Sequence, residues 1–275
     1  DDAKSCPADA DEGKGELKSD RKSGAENHKR QRARREEGGS SLLKEALGGD
    51  RMASERFCKK MPAEKTDLSK ILDMREKLSE LLKPERYEHS LSVSFSAAAL
   101  AMRYGADLQK AEIAGLCHDC AKHFGKQELL RVCERDGLVL SPELLRFPQV
   151  IHSFYGEIYA EKLFGIRDPE ILSAIRFHTL GRPGMSLLEK IIFTADFIEP
   201  RRYKAAGLSE IRRMAFLDLD EAVYLILKST IEYLRERGGE ICRASLESYE
   251  YYRKIHEEKG RNADPGEEER ARGED

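Results

Sequence analysis

The chain has 275 residues, a formal net charge of −3 and 40% hydrophobic residues. That is enough for one full domain with a sizeable core, and the near-neutral balance gives no whole-chain argument for a nucleic-acid or membrane partner. The longest apolar runs, such as Leu187 to Ile198, are interrupted by charges and fall short of a membrane span. Residues 1–40 hold no apolar stretch of signal-peptide type, and the sequence starts at Asp1 rather than Met, as in a processed chain or a fragment. The six cysteines (Cys6, Cys58, Cys117, Cys120, Cys133 and Cys242) show no disulfide spacing, so reduced thiols in a cytoplasmic protein are expected.

Residues 1–66 are dense in charge, Gly and Ser and lack periodicity, so a disordered tail is expected there. Within it, Ser41 to Gly49 reads as a transient helix. The basic cluster His28 to Arg35 reads as solvated tail rather than as a nucleic-acid site. Residues 67–258 form the expected domain, and residues 259–275 a second charged tail.

Between the tails the pattern is helical throughout. Asp67 is placed to cap a helix running to about Leu82, which Pro84 ends. A second helix runs from about Glu85 to Tyr104, with His89, Val93, Ala97 and Leu100 on one face. Gly105 stops it, and Asp107 caps a third, on which Ala111, Gly115, His118 and Lys122 share a stripe. On a continuous helix Asp119 would point about 100° away from that stripe. Helices follow at about Lys126 to Asp136 and Pro148 to Phe164. Asp168-Pro169 opens one to His178, and the capping-box string Ser186 to Glu189 opens one through Asp196. Two more span about Ser209 to Phe216 and Asp220 to Arg237. Strand signals are almost absent, so the fold class is all-α.

His89, the doublet His118-Asp119, and Asp196 with Glu199 one turn on lie on three separate helices. Imidazoles and carboxylates of this kind suit iron, manganese, cobalt, nickel or zinc, and a divalent cation offsets the cost of burying two carboxylates. Each residue alone has a plainer reading, such as a core histidine or a local helix-end hydrogen bond; the combination favours the metal. Cys117 and Cys120 form a CxxC around the doublet without a second pair or a βαβ context, so they read as small buried hydrophobes. Lys122 is placed to reach phosphate as a point charge, and Arg182 and Arg202 to fork onto phosphate oxygens. His152 and His178 suit a second ion or hydrogen bonds to phosphate.

The H…HD…D set resembles the HD-domain metal-dependent phosphohydrolases. The strings Arg86 to Val93, Ala111 to Lys122, Ala174 to Arg202 and Asp218 to Leu234 resemble the YqeK-type branch, over roughly residues 68–256. The resemblance implies a helical HD bundle that cleaves diadenosine tetraphosphate, or a related dinucleoside polyphosphate, at its centre to give two ADP. It implies iron or a similar divalent metal, as one or two ions, on His89, His118, Asp119 and Asp196, with His152 and His178 for a second. Nucleotide contacts are implied at Asp119, His152, His178, Thr179, Asp196 and Arg202, and His89 and Arg182 join them as expected substrate contacts. A closing segment is implied at Ile241, Cys242, Arg243, Ala244, Ser245 and Leu246, where this sequence departs from the Pro-Asp-Thr pattern of the family. The catalytic set on this reading is Asp119, Lys122, His152 and His178. The partner is a small dinucleotide, with neither membrane nor nucleic acid, and a homodimer is compatible. The alternatives are an HD nucleotidase or phosphodiesterase acting on another nucleotide, or a nucleotide-binding regulatory module.

Overall fold

The computed structural model describes residues 68–263, and the expectations for residues 1–66, for the Asp67 cap and for residues 264–275 lie outside them. The described residues contain helices and no strand. In chain order these are α1 Leu68–Leu81, α2 Pro84–Tyr104, α3 Leu108–Cys117, α4 Lys126–Arg135, α5 Pro142–Arg146 and α6 Ile151–Phe164. Then come α7 Pro169–Phe177, α8 Leu187–Ile198, α9 Leu208–Ala215, α10 Leu219–Glu236 and α11 Arg243–Ala263. Short 3-10 turns at Cys120–His123 and Pro148–Val150 precede α4 and α6.

Local chemistry sets most boundaries. Pro84 occupies the first turn of α2, where its missing N–H costs nothing, so it opens that helix as well as closing the approach from α1. Asp107 accepts from the Lys110 N–H at 2.8 Å to start α3. Ser186 and Glu189 form a reciprocal capping box at the start of α8. Asp168 accepts from the Glu170 N–H at 2.9 Å and the Ile171 N–H at 3.4 Å, and pairs with Lys110 at 2.9 Å.

Burial acts to raise the Asp168 pKa, but the Lys110 ammonium and the capped N–H groups outweigh it and hold the pKa below the usual value. A depressed carboxyl stabilises the fold above the unfolded pKa, near pH 4, and that contribution is lost as the pH falls through the folded pKa. Asp168→Ala is therefore expected to cost about 1 kcal/mol at neutral pH. The penalty should shrink in acid, as followed by denaturant unfolding at pH 7 and at low pH.

The third helix departs from the sequence expectation. It ends at Cys117, and Asp119 takes φ −104°, ψ 17° before the 3-10 turn begins. The single stripe carrying His118 and Lys122 is therefore broken. The cause is local: the His118 ring donates Nδ1–H to the Gly115 carbonyl at 2.7 Å, a carbonyl that a continuing helix would pair with the Asp119 N–H. Side-chain bonds of this kind compete with helix continuation. The break turns Asp119 toward the same interior as His118 instead of about 100° away. Two helices go beyond the sequence expectation, α5 and α11. The expected domain end at residue 258 falls inside α11, which continues to Ala263.

The core forms around α8, which packs against α2, α3, α7, α9 and α10. Its Ile191 and Ile192 are fully buried, with Leu100 of α2, Leu116 of α3 and Ile175 of α7. α2 and α3 touch at Gly115, where a Cβ would sit 2.8 Å from the Ser94 Cα. α6 pairs with α7, and α11 lies on α10. α11 is tied back by the buried Tyr252, whose hydroxyl accepts from the Met185 N–H at 3.1 Å. This packing aims the early part of α2, the end of α3, the start of α6, the end of α7 and the last turn of α8 at one place.

Candidate metal centre

Four imidazoles and two carboxylates meet there. His89 Nε2 lies 3.1 Å from Asp196 Oδ1 and 3.9 Å from Asp119 Oδ2. His118 Nε2 lies 3.5 Å from Asp119 Oδ2 and 4.0 Å from Asp196 Oδ1. The other Asp119 oxygen, Oδ1, faces His152 Nε2 at 3.2 Å and His178 Nε2 at 3.5 Å. Asp119 therefore stands between two pairs of imidazoles, one oxygen toward each.

The tautomers follow from the hydrogen bonds. His118, His152 and His178 each donate Nδ1–H to the carbonyl three residues earlier, Gly115, Gln149 and Ile175, at 2.7, 2.8 and 2.7 Å. Each ring then presents an Nε2 lone pair to the interior. His89 Nδ1 faces the buried Glu199 carboxylate at 3.5 Å.

Burial pushes His152 down to about 4 and also lowers His118, in both cases against the attraction of Asp119. These two rings are neutral at pH 7. Burial also acts against the charged form of His89, but the hydrogen bond and charge of Asp196, with Asp119, outweigh it and raise its pKa. For Asp119, burial favours the neutral acid, but in acid, where the carboxyl titrates, protonated imidazoles, His118 first, turn Nε2–H groups toward it, outweigh burial and hold the pKa well below the usual carboxylate range. Asp196 behaves likewise through His89 and His118.

These donors fit a cation. Nε2 atoms face each other at 3.3 Å in the His89–His118 pair and at 3.2 Å in the His152–His178 pair. In the His152–His178 pair both Nδ1–H groups are committed to carbonyls, so two lone pairs face each other and repel unless positive charge lies between them. Asp119 Oδ1 is buried and accepts no hydrogen bond, an arrangement that costs free energy without a partner. Ligand atoms of His89, His118 and Asp119 lie within 4.8 Å of one another, as do those of His118, His178 and Asp196, and of Asp119, His152 and His178. The mixed nitrogen and oxygen set suits a divalent transition metal.

The HD-domain family model matches residues 86–201. The symmetrical bis(5'-nucleosyl)-tetraphosphatase of Halalkalibacterium halodurans is 42% identical over 179 residues, covering 64% of this chain and 95% of that protein. The chain belongs to this family of HD-domain hydrolases. The Bacillus subtilis protein of the same description is 38% identical over 170 residues, covering 62% of this chain and 90% of that protein. A solved structure from Clostridium acetobutylicum, described as a predicted HD superfamily hydrolase involved in NAD metabolism, is 40% identical with a TM-score of 0.64. The match covers 66% of this chain and 96% of that one. An HD domain carries a divalent metal, and the His/Asp cluster is where these residues can hold it.

The other expected site residues are less uniformly placed. The Thr179 hydroxyl lies 3.0 Å from His178 Nε2 and 3.4 Å from His152 Nε2, at the cluster. Arg202 donates to the Asp196 carbonyl at 2.9 Å and to its Oδ1 at 3.2 Å. Lys122 is exposed on the 3-10 turn, where its charge is felt at His152. Arg182 is engaged elsewhere: its guanidinium donates to Glu189 at 3.1 and 3.2 Å and lies over the Phe177 ring, which secures the α8 capping box. In the segment Ile241 to Leu246, Cys242 packs with Phe147, Val150 and Leu180, the residue after Thr179, and the Arg243 N–H donates to Glu143 at 2.7 Å. Cys117 and Cys120 are fully buried, and burial pushes both thiols up, as expected for packing residues rather than a redox pair. Among the described residues no helix is long and apolar enough to cross a membrane.

Arg86 is a site residue that sequence reasoning missed. Its guanidinium donates to Asp119 Oδ2 at 2.8 Å and remains about two-fifths exposed. It lines a cleft of about 500 Å³ that opens onto His89, together with Lys83, Glu199, Arg201, Arg202 and Lys204. Five cations thus surround the approach to the cluster. The signal in sequence is the position of Arg86 three residues before His89, one helical turn away on the same face.

Proposed function

We propose that this chain hydrolyses the central anhydride of diadenosine tetraphosphate, giving two ADP, in keeping with the names its relatives carry. The observation that carries the reading is the cationic cleft of about 500 Å³ leading onto an imidazole–carboxylate cluster. A polyanionic bridge needs charge neutralisation along its length and an activated water at one phosphorus.

On this reading His89, His118, Asp119 and Asp196 hold the principal cation, and His152 and His178, with Asp119 Oδ1, hold a second. Iron is the metal proposed, with manganese, cobalt, nickel and zinc as alternatives that the same donors accept. Such an ion supplies positive charge to phosphoryl oxygens and activates water at neutral pH. Asp119 uses one oxygen toward each pair of histidines and so fixes their separation. Arg86 and Arg202 are placed to fork onto phosphate oxygens at the mouth, and Lys122 to add a point charge beside His152. Thr179 orients His152 and His178 or donates to phosphate. The segment Ile241 to Leu246, against Leu180, forms the wall on the His178 side and contacts the first nucleoside. A cytoplasmic location accompanies this reading, and the four described cysteines, all free thiols, are compatible with a reducing compartment. The metal donors all belong to one chain, so a homodimer is compatible but not required.

Product analysis tests the reaction. Purified protein given diadenosine tetraphosphate and a divalent metal should release ADP as the sole nucleotide product. AMP with ATP would overturn central cleavage. Glu199 provides a further expectation, since outer partners of metal-bound imidazoles commonly tune affinity by about 10–100-fold. Glu199→Gln should weaken metal binding by about tenfold, measured by competition with a chelating dye, with little change in melting temperature. Unchanged affinity would mean that Glu199 does not tune His89.

A further inference from the structure

A second cavity lies beside the cationic cleft and shares two residues with it. It measures about 350 Å³, between the segment after α8 and the outer face of α10. Phe197 and Tyr233 bring aromatic rings to it, and Ser229 and Thr230 bring hydroxyls. Arg202 and Lys204 stand at the junction with the first cleft, and the lining contains no carboxylate. Arg202 physically spans the two spaces. Its guanidinium holds Asp196 of the metal cluster and also lies 5.3 Å from the centre of the Phe197 ring.

We infer that this cavity receives the second nucleoside of the dinucleotide. The inference rests on the function proposed above and extends it. A central cleavage site must hold a nucleoside diphosphate on each side of the reacting phosphorus. One side is bounded by His178, Thr179 and the Cys242 segment. The other leaves through Arg86, Arg202 and Lys204, and those cations lead to Phe197 and Tyr233. The size lies within the range of small-molecule sites, about 300–1,000 Å³. Aromatic rings offer a stacking surface to a nucleobase, and cations at the entrance suit the phosphates attached to it. Ser229 and Thr230 supply hydroxyls for a ribose or a base edge.

The test uses Tyr233→Ala and Thr230→Trp, one removing a stacking ring and one filling the space. Both positions are exposed, so the fold has little to lose. KM for diadenosine tetraphosphate is measured beside the inhibition constant of inorganic tetraphosphate, which carries the same bridge without nucleosides. Base–aromatic stacking commonly changes affinity by about tenfold. KM should therefore rise by about tenfold in both variants, with the tetraphosphate constant unchanged. An unchanged KM, or a parallel rise in the tetraphosphate constant, would overturn the assignment of this cavity. Absence of dinucleotide cleavage by the unaltered protein would instead overturn the proposed function, and this inference with it.

Discussion

Asp119→Asn should lower kcat/KM for diadenosine tetraphosphate by on the order of 10³-fold, the loss expected when several kcal/mol of metal-borne stabilisation is withdrawn. Asp119 is the residue toward which both pairs of imidazoles converge, at 3.2 to 3.9 Å. An amide keeps the shape of the side chain and removes its charge. It also turns one oxygen into an NH2 group that cannot act as a ligand. Metal retained through purification should fall with the activity. The helical content should stay, because the carboxylate is not a cap and its guanidinium partner, Arg86, has solvent to turn to. Activity within tenfold of the unaltered protein would show that the two sets of imidazoles work without their shared carboxylate.

The second large effect concerns a residue with no functional group. A Cβ at Gly115 would lie 2.8 Å from the Ser94 Cα, 3.1 Å from its N and 3.1 Å from the Val93 carbonyl. All three are backbone atoms of α2 and cannot rotate away, so α2 and α3 must separate. Gly115→Val is expected to destabilise the domain by about 3 kcal/mol, the upper part of the usual overpacking range. For a domain of this size that is about 6–12 °C in Tm by calorimetry. The separation also reaches the chemistry, because α2 carries His89, α3 ends at His118, and the Gly115 carbonyl holds the His118 ring. Metal affinity should fall in the fraction that remains folded. A Tm within 2 °C of the unaltered protein would mean that the two helices are less tightly apposed than the geometry requires.

Helix starts and metal donors are legible in the sequence for different reasons. Asp107, Asp168 and Ser186 are cap residues whose short side chains bond locally, so α3, α7 and α8 start within a residue or two of where the pattern places them. The metal donors stand out because imidazoles and carboxylates are rare on apolar helix faces and carry recognisable chemistry. What escapes depends on tertiary placement or on a weak pattern. Arg86 meets Asp119 across 33 residues of sequence, and its place one turn before His89 marks the helix face but not the partner. Arg182 has the right charge for phosphate, but its partner Glu189 is fixed by the capping box of α8. The end of α3 depends on a histidine ring bonding to a carbonyl in place of the backbone, with neither Gly nor Pro at the break. α11 is hidden because its run is dense in Glu, Lys and Arg, and among its residues of described burial, 243–261, only Ser248 and Tyr252 are deeply buried.

That His89, His118, Asp119 and Asp196 hold a divalent cation is tested most directly by anomalous X-ray diffraction from crystals of the purified protein, with data collected on both sides of the metal absorption edges. A strong anomalous peak is expected in contact with the Nε2 atoms of His89 and His118 and with oxygens of Asp119 and Asp196. Crystals of active protein with no peak at that position, or with the metal bound at residues outside the cluster, would contradict it.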